Sequence, residues 1–580
     1  MSESTHTNPA KQASDKALAL IYDCIDKHKH FLVEAGAGAG KTYSLEKALQ
    51  YLIRKHGRAL LRQHQQIACI TYTNVATDEI KSRTDGHPAI LSSTIHAFCW
   101  SLIKDFQPQL RERLPQLSKW PERLAEIGGI GTRRVDYELG HPRAKKDAPN
   151  VVLGHDDVLS LTVALMEQSK FRELFAARYP ILLIDEYQDT NKEFTESLKS
   201  HFLATGKGPL IGFFGDHWQK IYGDGCGKIE HPKLQVIGVG ANFRSAPVIV
   251  DMLNHMRPEL RQEVKDPLIK GSVAVYHTNT WTGARRDGQH WAGDLPADMA
   301  RDHLGALYKR LAADGWNLAP EKTKVLMLTH RGLATEMGYS TLLEIFPFNE
   351  AFLKKEDPHI AFLVDVVEPV CAAYEKKQFG EMFTAMGERT PNIHYHGAKV
   401  AWAKDMDKLL AVRATGNVGA VLDHLKQTER PRLPETVEKR EQELARLQQE
   451  PGTVGTSSIE QIRKLREVSY KEIRALTHFI NEKTPFATKH GVKGAEFENV
   501  LVIFGRGWNQ YDFNQMLELA RTTIPAAKHS FYERNRNLFY VVCSRPQTRL
   551  ALLFTQQLSD RAIATLSAWF GKDVIHPIQV

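Results

Sequence analysis

Two short runs hold residue types that can do phosphate chemistry. The first is Phe31-Leu-Val-Glu-Ala-Gly-Ala-Gly-Ala-Gly-Lys-Thr42 and the second is Ile181-Leu-Leu-Ile-Asp-Glu-Tyr-Gln-Asp189. In the first, Ala35, Gly36, Ala37, Gly38, Ala39 and Gly40 lack side chains large enough to stop the backbone turning tightly, so its N–H groups can point at phosphate oxygens. Lys41 can then reach the β- and γ-phosphates, and the Thr42 hydroxyl can ligate Mg²⁺. Ala35 stands where the usual phosphate-loop pattern asks for glycine. In the second run, Asp185 is suited to hold Mg²⁺, directly or through water. Glu186 is placed to polarise an attacking water as general base, and Gln188 and Asp189 to sense the γ-phosphate. Either run alone is moderately specific. A lysine loop with a carboxylate pair about 140 residues downstream indicates hydrolysis of a nucleoside triphosphate such as ATP.

Other polar residues recur at the ends of apolar runs. Gln219 follows Pro209–Gly215 and is suited to contact a γ-phosphate; Arg244 follows Val236–Gly240 and is suited to neutralise charge developing there. Gln12, ahead of the first run, can pair with an adenine edge or be a surface residue at a helix start. Tyr72, Thr73 and Asn74 follow Gln66–Thr71, and Thr94 and His96 follow Ser92. Hydroxyls and amides hold phosphates and rings stack on bases, so these suit a nucleic-acid strand, although strand ends are often polar for structural reasons alone.

The elements that must position these groups are legible as short apolar strands, each followed by a helix-favouring stretch. That rhythm belongs to an open parallel α/β sheet, whose ligands sit at the carboxyl ends of the strands. The rhythm breaks twice. Residues 105–155 are rich in Pro, Arg and Lys and read as a helical insertion with a basic face. Residues 346–484 carry helical periodicity, with two densely charged helices, Pro434–Gln449 and Ile459 to about Glu482, around a Pro451–Ser458 break.

A length of 580 residues implies several domains, and a formal charge of +8 is compatible with a nucleic-acid partner. The six cysteines are scattered with no C-x-x-C pair, which argues for free thiols rather than a disulfide or zinc framework. No apolar run approaches the roughly 20 residues of a membrane span, and residues 1–16 lack an apolar signal core, so a cytoplasmic protein with no membrane partner is expected.

In order and spacing these segments resemble the motifs of superfamily 1 DNA helicases of the UvrD/Rep/PcrA type. Two further segments join the series. Phe486-Ala-Thr-Lys-His-Gly-Val-Lys-Gly-Ala-Glu-Phe497 is similar to the family's H-x-x-K-G-x-E-F motif, and Asn537-Leu-Phe-Tyr-Val-Val-Cys-Ser-Arg545 to its last motif, with Ser544 in place of the usual Thr. The resemblance implies that Glu496 contacts the nucleotide ribose, that the His490 loop and Tyr222 touch DNA, and that Arg545 is an arginine finger supplied across a cleft. It implies two RecA-like P-loop NTPase motor domains of α/β class with parallel sheets, each carrying a mainly helical insertion. The boundaries expected are 1–104 with 156–265 for the first motor, 105–155 for its insertion, 266–345 with 485–580 for the second motor, and 346–484 for the second insertion. The implied activity is an ATP-dependent, Mg²⁺-using translocase and helicase on single-stranded or tailed duplex DNA, moving 3′ to 5′.

One departure stands out: Tyr222 is followed by Gly223-Asp-Gly-Cys-Gly-Lys228, without the base-stacking Trp of the UvrD group. That leaves open a DNA-stimulated ATPase that unwinds little and regulates a partner. Only 35 residues follow Arg545, too few for a C-terminal nuclease domain. The layout resembles compact UvrD-like helicases of anti-phage systems such as Gabija, for which a separate nuclease or repair protein is the expected partner.

Overall fold

The computed structural model describes residues 8–138, 142–221, 223, 225–288, 291–327, 334, 337–346, 350–387, 395–449, 457–481, 486–487, 495–505 and 511–580. The chain forms two compact units. One is Met1–Val275 with Tyr511–Ala551 and Leu558–His576; the other is Tyr276–Gln510 with Leu552–Gln557 and Pro577–Val580.

The first unit is built on a six-stranded sheet: β1 (Phe31–Ala35), β2 (Ile67–Thr71), β3 (Ile90–Thr94) and three later strands, β7 (Ile181–Asp185), β8 (Leu210–Gly215) and β9 (Gln235–Val239). Its order is β3–β2–β7–β8–β1–β9, and every pairing is parallel. The near-continuous apolar runs of β1, β2, β7 and β8 are explained by burial on both faces. Alternation along each strand sorts the side chains. Leu32, Ala68, Ile70, Leu182, Ile184, Ile211 and Phe213 enter one core, and Phe31, Val33, Cys69, Leu183 and Phe214 the other. Phe31 pairs with Gly212, where a Cβ would lie 2.5 Å from the Phe31 ring, so that position has room only for glycine.

Helix α1 (Pro9–Asp26) starts cleanly because Asn8 accepts from the Lys11 N–H at 2.9 Å and Pro9 occupies the first turn. Helix α2 (Lys41–Arg62) follows β1, and α3 (Asn74–Arg83) and α4 (Ile95–Ile103) follow β2 and β3. The insertion at 105–155 is less helical than its composition suggested. Short helices Gln107–Arg113 and Trp120–Glu126 are followed by a three-stranded sheet of β4 (Arg134–Tyr137), β5 (Arg143–Ala144) and β6 (Asn150–Leu153), in the order β4–β6–β5. Val135, Val151, Val152 and Leu153 are buried while Arg134, Arg143, Lys145 and Lys146 are exposed, a pattern hidden by the Pro- and Lys-rich turns between the strands.

In the second unit, strand Thr323–Met327 pairs in parallel with Phe486–Ala487 and with Phe497–Phe504. From Ser340 to Ile480 the described residues form helices around a separate core of Leu363, Val367, Met406, Leu409, Val421, Leu425, Ile473 and Leu476. The expected charged helix from Ile459 to about Glu482 is two helices, Ser457–Glu467 and Tyr470–Ile480, because Ser469 leaves the helix to bridge Asn417. The charged helices are not solvated all round: Leu444 packs with Ile459 and Ile462.

All six cysteines are free, and five are buried. Among the described residues, no helix is long and apolar enough to cross a membrane.

Inside the helical core, Arg413 forks onto Glu368. Nε donates to Oε1 and Nη2 to Oε2, each at 2.7 Å, and both side chains are under one-tenth exposed. Truncating one member leaves the other charge buried. Arg413→Ala is therefore expected to lower the stability of this unit by about 3–5 kcal/mol in urea unfolding, whereas the paired replacement Glu368→Leu/Arg413→Met costs much less.

Candidate active site

The glycine loop leaves β1 at Ala35 and enters α2 at Lys41. Gly38 and Gly40 adopt left-handed φ angles of 74° and 76°, and a Cβ at Gly38 would come within 2.7 Å of the Asn242 side chain. The loop is pinned from outside. Asn242 Nδ2 and Gln262 Nε2 both donate to the Ala37 carbonyl at 3.1 Å, and the Ala37 N–H donates to the Tyr540 hydroxyl at 3.3 Å. Helix α2 carries no acidic residue in its first turn, so its N-terminal partial charge stays available to an anion.

Lys41 points across the sheet to the end of β7. Its ammonium contacts Glu186 Oε1 and lies 3.9 Å from Asp185 Oδ1. Burial works against its charge, but Glu186 and Asp185 outweigh that and raise its pKa above the ordinary value. Glu186 has a positive φ of 48°, a conformation that costs a non-glycine residue energy and turns its carboxylate out of the strand line. Gln188, fully buried, donates from Nε2 to Glu186 Oε2 at 2.5 Å and accepts the Asp216 N–H at 3.0 Å. Gln219 donates to Asp216 Oδ2 at 2.8 Å and accepts from Arg545 Nη2 at 3.2 Å.

The helix His529–Cys543 and the turn after it complete the constellation. Asn537 Nδ2 donates to the carbonyls of His217 and Lys220, at 3.0 and 3.1 Å, which holds the Gln219 turn. Arg244 Nη1 donates to the Ser544 carbonyl at 2.9 Å, and Ser245 Oγ to the Pro546 carbonyl at 2.8 Å. Lys41, Asp185, Glu186, Gln219, Arg244 and Arg545, separated by up to about 500 positions, thus converge in one unit.

Similarity to known proteins agrees with this arrangement. The AAA domain family matches residues 20–224. Gabija protein GajB of Bacillus cereus is 24% identical over 690 aligned positions, covering 95% of this chain and 96% of that protein. The ATP-dependent DNA helicase Rep of Salmonella typhimurium is 29% identical over 279 positions, 38% of this chain and 40% of Rep. PcrA of Staphylococcus aureus is 26% identical over 281 positions, 39% of this chain and 37% of PcrA. The chain is similar to UvrD-like superfamily 1 helicases, and to the Gabija protein over nearly its whole length.

The protein is an ATP-hydrolysing enzyme with a RecA-like α/β fold. Its other expected site residues are placed as follows. Gln12 is exposed in the first turn of α1, and Glu496 is exposed in the second unit. Tyr72, Thr73 and Asn74 are exposed at the end of β2, and Thr94 and His96 lie at the end of the neighbouring β3, where Thr71 pairs with Thr94. Thr73 also caps α3, accepting from the Ala76 N–H at 3.2 Å. The His96 ring stands 4.4 Å from that of His155, whose Nδ1 is 2.6 Å from the Tyr137 hydroxyl. Burial first, and His155 second, push the His96 pKa down to about 4, so at neutral pH it offers a neutral ring. Tyr222 and His490 lie outside the described residues.

Sequence reading did not single out Asp216, Asn242, Gln262 or Asn537, whose amides and carboxylate hold the loops in place. Asp216, in the Gln219 segment, Asn242, in the Arg244 segment, and Asn537, in the last motif, carried a positional signal; Gln262 carried none.

Glu186→Gln should retain nucleotide binding and lose turnover by roughly 10²-fold or more, as expected for removal of a general base; single-turnover ATP hydrolysis measures it. Arg545→Ala should depress kcat by about 10³-fold, the scale of an arginine finger, while fluorescence anisotropy shows unchanged DNA affinity.

Proposed function

We propose that this protein is an ATP-driven translocase on single-stranded DNA that unwinds duplexes in the 3′ to 5′ direction. The observation that carries the reading is the meeting of Lys41 with Asp185 and Glu186 beside the glycine loop, with Arg545 held on Gln219. The loop amides and Lys41 would bind the β- and γ-phosphates, Glu186 would take the proton of the attacking water, and Arg545 and Arg244 would stabilise the charge that develops. Gln12 and Glu496 are assigned to the base and ribose.

Thr42, next to Lys41 in the chain, and Asp185, 3.9 Å from the Lys41 ammonium, offer hard oxygen donors, a set that fits Mg²⁺. Bound there, Mg²⁺ supplies neutralisation of phosphate charge. The strand-end residues Tyr72, Thr73, Asn74, Thr94 and His96 would hold the DNA strand, with Tyr222 and His490 assigned to the same path. A cytoplasmic site of action follows from this reading.

The whole-length similarity to the Gabija protein favours a second reading, a DNA-stimulated ATPase that senses DNA and regulates a separate nuclease or repair protein in anti-phage defence. One experiment separates the two. On a 3′-tailed duplex the wild-type chain should hydrolyse ATP and release the strand, and Lys41→Ala should abolish both. DNA-stimulated hydrolysis without strand release would select the regulatory reading, and absence of any ATP turnover would refute both. Binding to the tail should weaken steeply with salt, in proportion to the phosphates neutralised.

A further inference from the structure

A buried ion cluster lies directly behind the catalytic loops. Arg257, at the end of the helix Pro247–Met256, is 2% exposed. Its Nη1 donates to Asp216 Oδ1 at 2.7 Å and its Nη2 to Glu34 Oε1 at 2.8 Å. Glu34 sits within β1, one residue before the glycine loop begins, and is the only charged side chain in that strand. Its other oxygen accepts from the Tyr187 hydroxyl at 2.5 Å, and His217 Nδ1 lies 2.6 Å from Oε1. Burial raises the pKa of Glu34, but the hydrogen bonds from His217 and Tyr187, with the charge of Arg257, overcome this and hold it down at about 2. Glu34, Asp216 and His217 have the mutual spacing of metal ligands, but the Arg257 guanidinium already binds both carboxylates.

Arg257 itself touches none of the groups assigned to the phosphates, yet two bonds of its partner Asp216 lead to them. Asp216, fully buried, accepts from Gln219 Nε2 through Oδ2, which turns Gln219 Oε1 toward Arg545. The Asp216 N–H donates to Gln188 Oε1, which turns Gln188 Nε2 toward Glu186. Asp216 thus fixes the amide orientation of both glutamines, and Arg257 fixes Asp216 to β1.

We propose that Arg257 is a positioning residue for ATP hydrolysis: by clamping Asp216 to Glu34 it sets the glutamine pair that presents Gln219 to Arg545 and holds Glu186. It acts on the hydrolytic step and contributes nothing to nucleotide affinity. Without it two carboxylates face each other in the protein interior, so Asp216 leaves its place or takes a proton, and both glutamines lose their fixed orientation.

The inference rests on the ATPase reading, and the test keeps the two apart by using wild-type turnover as its reference. The full chain is assayed for steady-state ATP hydrolysis as wild type, Arg257→Ala, Gln219→Ala and the double variant, with a fluorescent ATP analogue reporting nucleotide affinity. Arg257→Ala should lower kcat by about 10- to 100-fold, the usual cost of losing a partner that orients a working group, with KM and analogue affinity within about threefold. In the Gln219→Ala background the same change should cost less, because one of the two glutamines it acts through is already gone. Arg257→Lys, which keeps the charge but reaches one carboxylate at a time, should fall between. If Arg257→Ala does not fold, Arg257→Lys takes its place in the cycle. A kcat within twofold of wild type, a loss confined to KM, or costs that multiply in the double variant would each overturn the proposal. A wild-type chain without ATP turnover would instead refute the reading beneath it.

Discussion

The meeting of the Lys41 ammonium with the Asp185 and Glu186 carboxylates is the constraint to which the first unit is built. The lysine is delivered by the loop after β1 and the carboxylates by the end of β7, with β8 between the two strands. That spacing requires a parallel sheet in which β1, β7 and β8 end at the same level. The registers supply this: Glu34 pairs with Gly215, and Asp185 with Phe214. Burial of the strands on both faces makes a slip of one residue costly, since it would move Phe31, Val33, Leu183 and Phe214 out of one core and their neighbours into it. Hydrophobic packing therefore sets the position of the charged groups to within a side chain's reach.

Around that pair the polar groups are arranged in two shells that obey different rules. Groups facing the phosphate loop are kept polar by chemistry. Groups behind them are kept polar by accounting: a buried Asp216, Gln188 or Asn242 must find partners in the protein, and each does. The partners come from distant segments, so satisfying them also fixes the relative placement of β1, the Gln219 turn, the Arg244 segment and the helix His529–Cys543. His96 follows the same logic at the edge of the sheet, where its burial against His155 leaves it neutral.

Much of this was legible in the sequence because the relevant signals are local. The glycines before Lys41, the apolar run before Asp185 and the strand-end polar triplet Tyr72–Asn74 each report their own surroundings. The parallel sheet followed from the same runs. What was not legible was non-local. Arg257 has no neighbour in sequence that hints at Glu34 or Asp216, more than 200 and 40 positions away respectively, and its helix end looks like an ordinary surface charge. The small sheet in the 105–155 insertion was missed because its strands are four residues or fewer and lie among prolines and lysines. The break at Ser469 was missed because the residues on either side keep helical periodicity.

Arg244 and Ser245 hold the segment around Arg545 through the main-chain carbonyls of Ser544 and Pro546 rather than through side chains. An attachment to backbone is indifferent to which residue supplies it. The Ser544 hydroxyl accepts from Arg545 Nη2 at 3.2 Å, and threonine there would offer the same hydroxyl. A change of side chain at that turn would thereby leave both attachments, and with them the placement of the arginine, intact.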